Sequence, residues 1–168
     1  KRQAVRAIAR WRGGRRAGVV RVLAGPPGTG KSCAAAWACL WDAPGCPREV
    51  SALFVTAAEL GRTPRNIFSE HLAAWRRWTE VPLLVIDDLG LEGDAAAVSL
   101  LLLERYDEGR VTICTANLTD AALAARYLAG EVGPRLADRL VREQGHRGRP
   151  SGLPWYVPLD GESLRGAA

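Results

Sequence analysis

Residues Gly25–Ser32 read Gly-Pro-Pro-Gly-Thr-Gly-Lys-Ser, which is the pattern G-x-x-x-x-G-K-[S/T]. An apolar run, Val19–Ala24, precedes this stretch, and an alanine-rich segment, Lys31–Trp41, follows it. The run predicts a buried strand and the segment predicts a helix, so the glycines lie at a strand-to-helix turn. A glycine turn that merely precedes a lysine is the structural alternative. All but two of the 23 basic residues are arginines, and the only interior lysine stands in this loop, which favours a phosphate-binding role.

The chemistry of phosphate binding explains each residue type in this loop. Glycines let backbone amides approach phosphate oxygens, and the start of the following helix adds partial positive charge. The Lys31 ammonium would reach the β- and γ-phosphates, and the Ser32 hydroxyl would complete a Mg²⁺ shell. The residues expected to hold ATP are Gly25, Pro26, Pro27, Gly28, Thr29, Gly30, Lys31, Ser32 and Cys33.

Five short apolar runs rich in β-branched residues recur along the chain at spacings of roughly 30 residues, which is what a strand–helix–strand crossover needs. They predict a five-stranded parallel sheet covered by helices, in a single three-layer α/β/α domain over residues 1–168. The predicted strands are Val19–Ala24, Ala52–Thr56, Leu83–Ile86, Val111–Thr115 and Trp155–Leu159. The predicted helices are Lys31–Trp41, Thr63–Trp78, Ala95–Tyr106, Asp120–Tyr127 and Pro134–Arg142.

Composition limits the class of protein. With 168 residues, 48% of them hydrophobic and 24% charged, the chain has the balance of a globular domain and not of a disordered or fibrous protein. No apolar stretch is long enough to span a bilayer, and the four cysteines form no C-x-x-C pair, so we expect a reduced, cytoplasmic protein with no membrane partner. The absence of methionine predicts a piece of a longer chain. The net charge of +5 permits a nucleic-acid partner.

Two carboxylates and an amide follow predicted neighbouring strands. Asp87 and Asp88 end the apolar run Leu83–Ile86, at the strand edge where α/β sheets place ligands. We expect Asp87 to hold Mg²⁺ and Asp88 to deprotonate the attacking water; a simple strand-ending turn is the alternative. Asn117 follows the next strand, where it could orient water or merely begin a turn.

Five segments, taken in order, resemble the ATPase domain of the DnaC/IstB-like AAA+ proteins, a family of replicative helicase loaders and transposition helper ATPases. The resemblance covers nearly the whole chain. The segments are Gly25–Ser32, Leu83–Gly90, Arg105–Leu118 (RYDEGRVTICTANL), Gly133–Leu140 (GPRLADRL) and Trp155–Arg165 (WYVPLDGESLR).

This resemblance implies a Mg²⁺-dependent ATP hydrolase that cycles between ATP and ADP forms. Lys31 and Ser32 would have the Walker A role, and Asp87 and Asp88 the Walker B role. Asn117 falls on the sensor-1 position, and Arg139 on the arginine finger that completes a neighbouring subunit's site. The implied partners are further copies of the chain, a replicative helicase or a transposase, and single-stranded DNA.

Several alternatives remain open from the sequence. Arg139 could be a solvated helix arginine paired with Asp138 or Glu143. Asp88 stands where many AAA+ proteins have glutamate, so hydrolysis could be slow, or the chain could be an ATP-gated binding module with negligible turnover. A small-molecule kinase remains possible from the loop alone, whereas the guanine-reading N-K-x-D motif of GTPases is absent.

Two further features have both a functional and a structural interpretation. The stretch Trp75–Trp78 (WRRW) could stack on single-stranded nucleic acid, although its pattern is more typical of a helix with buried tryptophans and solvated arginines. Cys33 directly follows the phosphate loop, so nucleotide binding could be sensitive to thiol alkylation.

Overall fold

A five-stranded parallel sheet, with strand order β2-β3-β4-β1-β7, is the centre of the fold. The computed structural model describes residues 19–40, 51–62, 69–142, 145–146, 149–150 and 155–159. The strands are β1 (Val19–Ala24), β2 (Ala52–Thr56), β3 (Leu83–Leu89), β4 (Val111–Ala116), β5 (Gly145–His146), β6 (Arg149–Pro150) and β7 (Tyr156–Pro158). Strands β5 and β6 form a separate antiparallel pair.

Helices connect consecutive strands of the main sheet. They are α1 (Lys31–Leu40), α2 (Ala57–Arg62), α3 (Ser69–Glu80), α4 (Ala95–Asp107), α5 (Asp120–Tyr127) and α6 (Gly133–Ala137), which continues into a π-helical turn, Asp138–Arg142. None of the helices found in these residues has the length and apolar character that crossing a lipid bilayer requires.

The hydrophobic core has two parts because successive strand residues face opposite sides of the sheet. On one side, Leu23 and Val85 pack with three alanines of α1, namely Ala34, Ala35 and Ala38. The small side chains bring α1, and the loop that precedes it, close to the sheet. On the other side, alternate residues such as Val22 and Ile86 belong to a larger cluster that includes residues of α2 to α6. The three-layer arrangement expected from the sequence is confirmed.

Arg105, in the last turn of α4, is fully buried. Its Nε donates to the Thr112 hydroxyl at 2.8 Å, and its terminal nitrogens donate to the carbonyl oxygens of Trp78 at 2.5 Å and Val81 at 2.9 Å. A further bond reaches the carbonyl of Val111. One guanidinium thus joins the end of α3, the residues just before β3 and the start of β4. These bonds fix the position of β4 relative to β3, the strand that carries the acidic pair.

Most of the predicted elements are present, with shifted ends. Strand β3 continues three residues past Ile86, and the segment predicted as one helix from Pro134 to Arg142 changes from α- to π-helical at Asp138. The sequence analysis missed α2 entirely. The predicted helix Thr63–Trp78 corresponds to α3, which the structure describes from Ser69 onward. Its predicted start at Thr63 lies outside the described residues.

Candidate functional site

The phosphate loop lies between β1 and α1, as expected. Gly28 and Gly30 have φ values of 85° and 84°, a left-handed conformation that glycine adopts without strain. Lys31 is the first residue of α1 and is only 5% exposed. Its Nζ donates to the carbonyl oxygens of Gly25 at 2.9 Å and Pro26 at 2.7 Å. The ammonium is therefore folded back over its own loop, at the amino terminus of a helix.

Gly25 is required for a reason that the sequence analysis did not find. A Cβ at this residue would collide with the carbonyl oxygen of Leu159, which directly follows β7. The Leu159 amide donates to the Ala24 carbonyl at 2.7 Å, and the Gly25 amide donates to the Ala116 carbonyl at 3.2 Å. The first residue of the loop is consequently held between the ends of β4 and β7.

The acidic pair lies in a β-bulge at the same edge of the sheet. Ile86 pairs with Cys114 and Leu89 with Ala116, so Asp87 and Asp88 together oppose a single residue of β4, Thr115. Bulges re-aim side chains and are frequent beside active sites. Both aspartates are half-buried. Asp88 has φ 57°, which makes it the only non-glycine residue with positive φ in the described part of the chain.

Thr115 ties the two aspartates together, and sequence reasoning did not identify it. Its hydroxyl donates to Asp87 Oδ1 at 2.5 Å and accepts from the Asp88 amide at 2.9 Å. The side chain is fully buried. This single hydroxyl fixes the rotamer of one carboxylate and the backbone conformation of the other.

Asn117 is exposed and lies directly after β4, one residue past the carbonyl that accepts from Gly25. The structure thus brings the phosphate loop, the acidic pair and Asn117 to one edge of the sheet. Strand β4 lies between the two strands that carry the loop and the carboxylates.

A buried carboxylate, Glu92, anchors the loop that follows the acidic pair. It accepts from the Gly90 amide at 2.8 Å, from Arg126 Nε at 2.6 Å and from the Tyr127 hydroxyl at 2.8 Å. The bond to Glu92 raises the pKa of Arg126, and burial together with the same carboxylate raises the pKa of Tyr127. Glu92 therefore links this loop to α5. Its Leu-Glu-Gly context resembles a surface turn, and no sequence signal distinguishes it.

Arg139, the expected arginine finger, lies in the π-helical turn Asp138–Arg142. Asp107, the last residue of α4, is one of its partners: Arg139 Nε donates to Asp107 Oδ1 at 3.1 Å. Glu143 and Arg165 lie outside the described residues. Arg135 approaches the other oxygen of Asp107 at 3.8 Å. The structure therefore adds Asp107 as an ion-pair partner of Arg139 that the sequence did not suggest.

The tryptophan–arginine stretch fits the structural interpretation. Trp78 is buried, and the Trp75 indole donates to Glu104 Oε2 at 2.9 Å, while Arg76 and Arg77 are exposed. Trp78 is thus part of the core, and the half-buried Trp75 is bonded to α4. Cys33, by contrast, is exposed beside the phosphate loop.

No group of three or more His, Cys, Asp or Glu side chains that could hold a metal ion occurs within the described ranges. Ser32 and Asp87, the residues expected to contact Mg²⁺, supply one hydroxyl and one carboxylate. Such a sparse donor set suits Mg²⁺, which keeps several waters and is bound by one or two carboxylates together with phosphate oxygens.

No protein-family model matches the sequence, and no curated protein matches it either. Several solved structures are similar in fold, and two of them align as follows. A crystal structure of DnaI aligns over 96% of this chain and 82% of its own, with a TM-score of 0.62 and 23% sequence identity. A crystal structure of a DNA replication initiation factor aligns over 93% of this chain and 43% of its own, with a TM-score of 0.55 and 17% identity. At these identities the likeness concerns the fold alone: the chain has the α/β P-loop fold that the sequence predicted, with the architecture of DnaI.

Proposed function

We propose that this chain is the ATP-binding and ATP-hydrolysing domain of a DnaC/IstB-like AAA+ protein. The observation that carries the proposal is the meeting of the phosphate loop with the bulged acidic pair at one edge of a parallel sheet. The order of the five resembling sequence segments and the fold similarity to DnaI support the same family.

The residues at this edge fit a magnesium nucleotide. Two left-handed glycines leave backbone amides accessible at the start of α1, and a buried ammonium stands at the same point. Gly25–Cys33 would surround the phosphates, while Ser32 and Asp87 would hold Mg²⁺, which neutralises phosphate charge when bound. The Lys31 ammonium would exchange its two carbonyl contacts for phosphate oxygens.

The remaining side chains have distinct roles in hydrolysis. An Asp88 carboxylate oxygen takes the proton of the attacking water. The Asn117 amide orients the water. Arg139 of one subunit stabilises the developing phosphate charge in the site of the next, which makes hydrolysis depend on a homo-oligomer.

The proposed partner is a replicative helicase on DNA. The fold similarity to a DNA replication initiation factor supports a replication partner over a transposase. With the tryptophans of Trp75–Trp78 engaged in the fold, single-stranded DNA would be contacted through exposed arginines instead of base stacking. We infer the same reduced, cytoplasmic setting that the cysteine pattern indicates.

A second candidate is an ATP-gated binding module with negligible turnover. The short side chain of Asp88 favours it, because aspartate is one methylene shorter than the usual glutamate. Single-turnover ATP hydrolysis, measured with and without single-stranded DNA, separates the two functions, since the module would bind ATP without converting it to ADP.

Equilibrium titration with a fluorescent adenine nucleotide and Mg²⁺ tests nucleotide binding. We expect Lys31→Ala to weaken affinity by at least about tenfold, the effect of about 1.4 kcal/mol lost from a charge-assisted contact. Lys1→Ala, which removes the only other lysine, is the matched control. Unchanged affinity in the folded Lys31→Ala variant would overturn the proposed function.

A mixing experiment tests the oligomeric site. Asp88→Asn chains retain Arg139 but have no base, and Arg139→Ala chains retain the base but supply no finger. Each variant alone should be inactive, whereas their mixture should recover activity at hybrid interfaces. Mixtures that stay inactive at every ratio would refute the role of Arg139 in a neighbouring site.

A further inference from the structure

Asp107 lies between two arginines that belong to a different part of the chain. Arg139 Nε is 3.1 Å from Oδ1, and an Arg135 terminal nitrogen is 3.8 Å from Oδ2. The side chains of Asp107 and Arg139 are 38% and 32% exposed, so this contact lies at the surface without being fully solvated. The carboxylate thus faces two cations, four residues apart, one from α6 and one from the π-helical turn.

The helix that carries Asp107 is firmly fixed to the sheet. Val98, Leu101 and Leu102 of α4 are buried in the core, and Arg105, two residues before Asp107, bonds to main-chain carbonyls of three segments. Helix α4 also connects β3 to β4, the strands that bring Asp87 and Thr115 together. Asp107 is therefore at a defined position relative to its own subunit's catalytic edge.

Arg139 contacts Asp107 through Nε, and this choice of nitrogen determines how the contact restricts the guanidinium. Nε is the guanidinium nitrogen closest to the aliphatic stem, so a bond there restricts rotation of the planar group. A phosphate is recognised by the terminal nitrogens as a two-pronged donor, and the bond to Asp107 is made at Nε and not at those nitrogens. Because the ion pair is half-exposed, it is weak, so the guanidinium can still attract phosphate while its Nε stays bonded to Asp107.

We propose that Asp107 is the positioning residue of Arg139: its carboxylate sets the direction in which the guanidinium leaves its own subunit to enter the site of a neighbour. This inference rests on the proposed function, because it requires that Arg139 act in a neighbouring site. Asp107 itself would touch neither nucleotide nor water, and would act only through the chain that supplies the finger.

The mixing experiment can locate this effect on one chain. The chain carrying Asp88→Asn supplies only the arginine, and the chain carrying Arg139→Ala supplies only the hydrolytic site. Adding Asp107→Asn to the arginine-supplying chain should lower kcat of the mixture by about fivefold, the upper range for one half-exposed ion pair. Adding Asp107→Asn to the site-supplying chain should leave kcat unchanged, and KM for ATP should not move in either mixture.

Two further variants control for charge and for folding. Glu108→Gln on the arginine-supplying chain removes one negative charge from the same helix end and should have no effect, because Glu108 is the exposed neighbour of Asp107. Asp107→Glu keeps the carboxylate and should recover most of the activity. Thermal unfolding of all three variants should coincide with that of the parent chain.

The outcomes distinguish the inference from the function on which it rests. Equal losses with Asp107→Asn on either chain would indicate a structural role and overturn the inference, as would increased or unaltered activity with the change on the arginine-supplying chain. A parent mixture that is inactive before Asp107 is altered would instead refute the role of Arg139 in a neighbouring site, and the inference with it.

Discussion

The Thr115 hydroxyl donates to Asp87 Oδ1 at 2.5 Å and accepts from the Asp88 amide at 2.9 Å. Both aspartates oppose this one residue because β3 carries a bulge there. A hydroxyl can donate once while it accepts, so threonine satisfies both partners simultaneously. Thr115 thereby determines how the two carboxylates are presented at the edge of the sheet.

Thr115→Val should therefore impair hydrolysis. Valine preserves the shape of the side chain but leaves the Asp88 amide without its partner, which should cost about 1–3 kcal/mol of unfolding free energy. If Asp87 holds Mg²⁺ as proposed, loss of its supporting hydrogen bond should reduce activity by about 10–100-fold. Urea denaturation and kcat for ATP measure the two effects. Thr115→Ser, which keeps the hydroxyl, should stay near the parent in both, and equal losses in Ser and Val variants would contradict this role.

The left-handed backbone conformation of Asp88 predicts how substitutions at this residue affect the stability of the fold to urea. At φ 57°, a residue with a Cβ is strained by about 1–2 kcal/mol unless it is aspartate or asparagine. Asp88→Gly should therefore be more stable to urea than Asp88→Ala by about 1 kcal/mol. Asp120, at the start of α5, provides the control, because glycine in a helix should be the less stable of the two there. Alanine as stable as glycine at residue 88 would show that the conformation is not strained.

Local patterns were sufficient to predict much of the sheet. Strands Val19–Ala24 and Ala52–Thr56 have the predicted ends, because short runs rich in apolar and β-branched residues are typical of strands. Helix Asp120–Tyr127 also has the predicted ends. Thr119 caps its amino terminus, because the threonine hydroxyl accepts a hydrogen bond from the Ala122 amide.

Helix α2 could have been predicted and was not. Thr56 and Glu59 form a capping box: the Glu59 carboxylate accepts from the Thr56 amide at 2.6 Å, and the Thr56 hydroxyl accepts from the Glu59 amide at 3.2 Å. The sequence Thr-Ala-Ala-Glu contains this signal directly after the apolar run. Because Thr56 was interpreted only as the end of a strand, the helix that starts beside it went unrecognised.

The supporting residues of the site could not be predicted, because each depends on distant pairing. Thr115 reaches both aspartates only through the β3–β4 register and its bulge, and Asp107 meets Arg139 only after α4 and the π-helical turn have packed together. The buried Glu92 accepts hydrogen bonds from Arg126 and Tyr127, which lie 34 and 35 positions further along the chain. Spacing along the chain carries no information about such contacts, whereas the loop Gly25–Ser32 is a contiguous motif.

Arg105 should be the most sensitive polar residue for folding in the larger core layer. Arg105→Met would remove the guanidinium donor from the buried carbonyl of Trp78 and the part-buried carbonyls of Val81 and Val111, at a cost of about 3 kcal/mol. Arg105→Lys should not restore stability, because one ammonium cannot reproduce the planar set of donors. Urea denaturation measures both. Arg77→Met, at an exposed position of α3, should change stability by less than about 0.5 kcal/mol, and a comparably small effect at Arg105 would contradict its structural role.

The buried thiol of Cys114 should make stability fall at alkaline pH. Burial raises its pKa from 9.0 to about 12, although the nearby charge of Arg105 acts in the opposite direction. Above pH 9 the unfolded chain releases this proton while the folded chain keeps it, so the stabilisation is complete below pH 9 and is lost as pH rises towards 12. Between pH 8 and 10, the unfolding free energy of the parent should fall by about 1.4 kcal/mol more than that of Cys114→Ala. Urea denaturation under reducing conditions measures this difference in pH dependence, which is independent of any constant loss from the smaller side chain. Equal pH dependence in the parent and Cys114→Ala would show that the buried thiol does not resist ionisation.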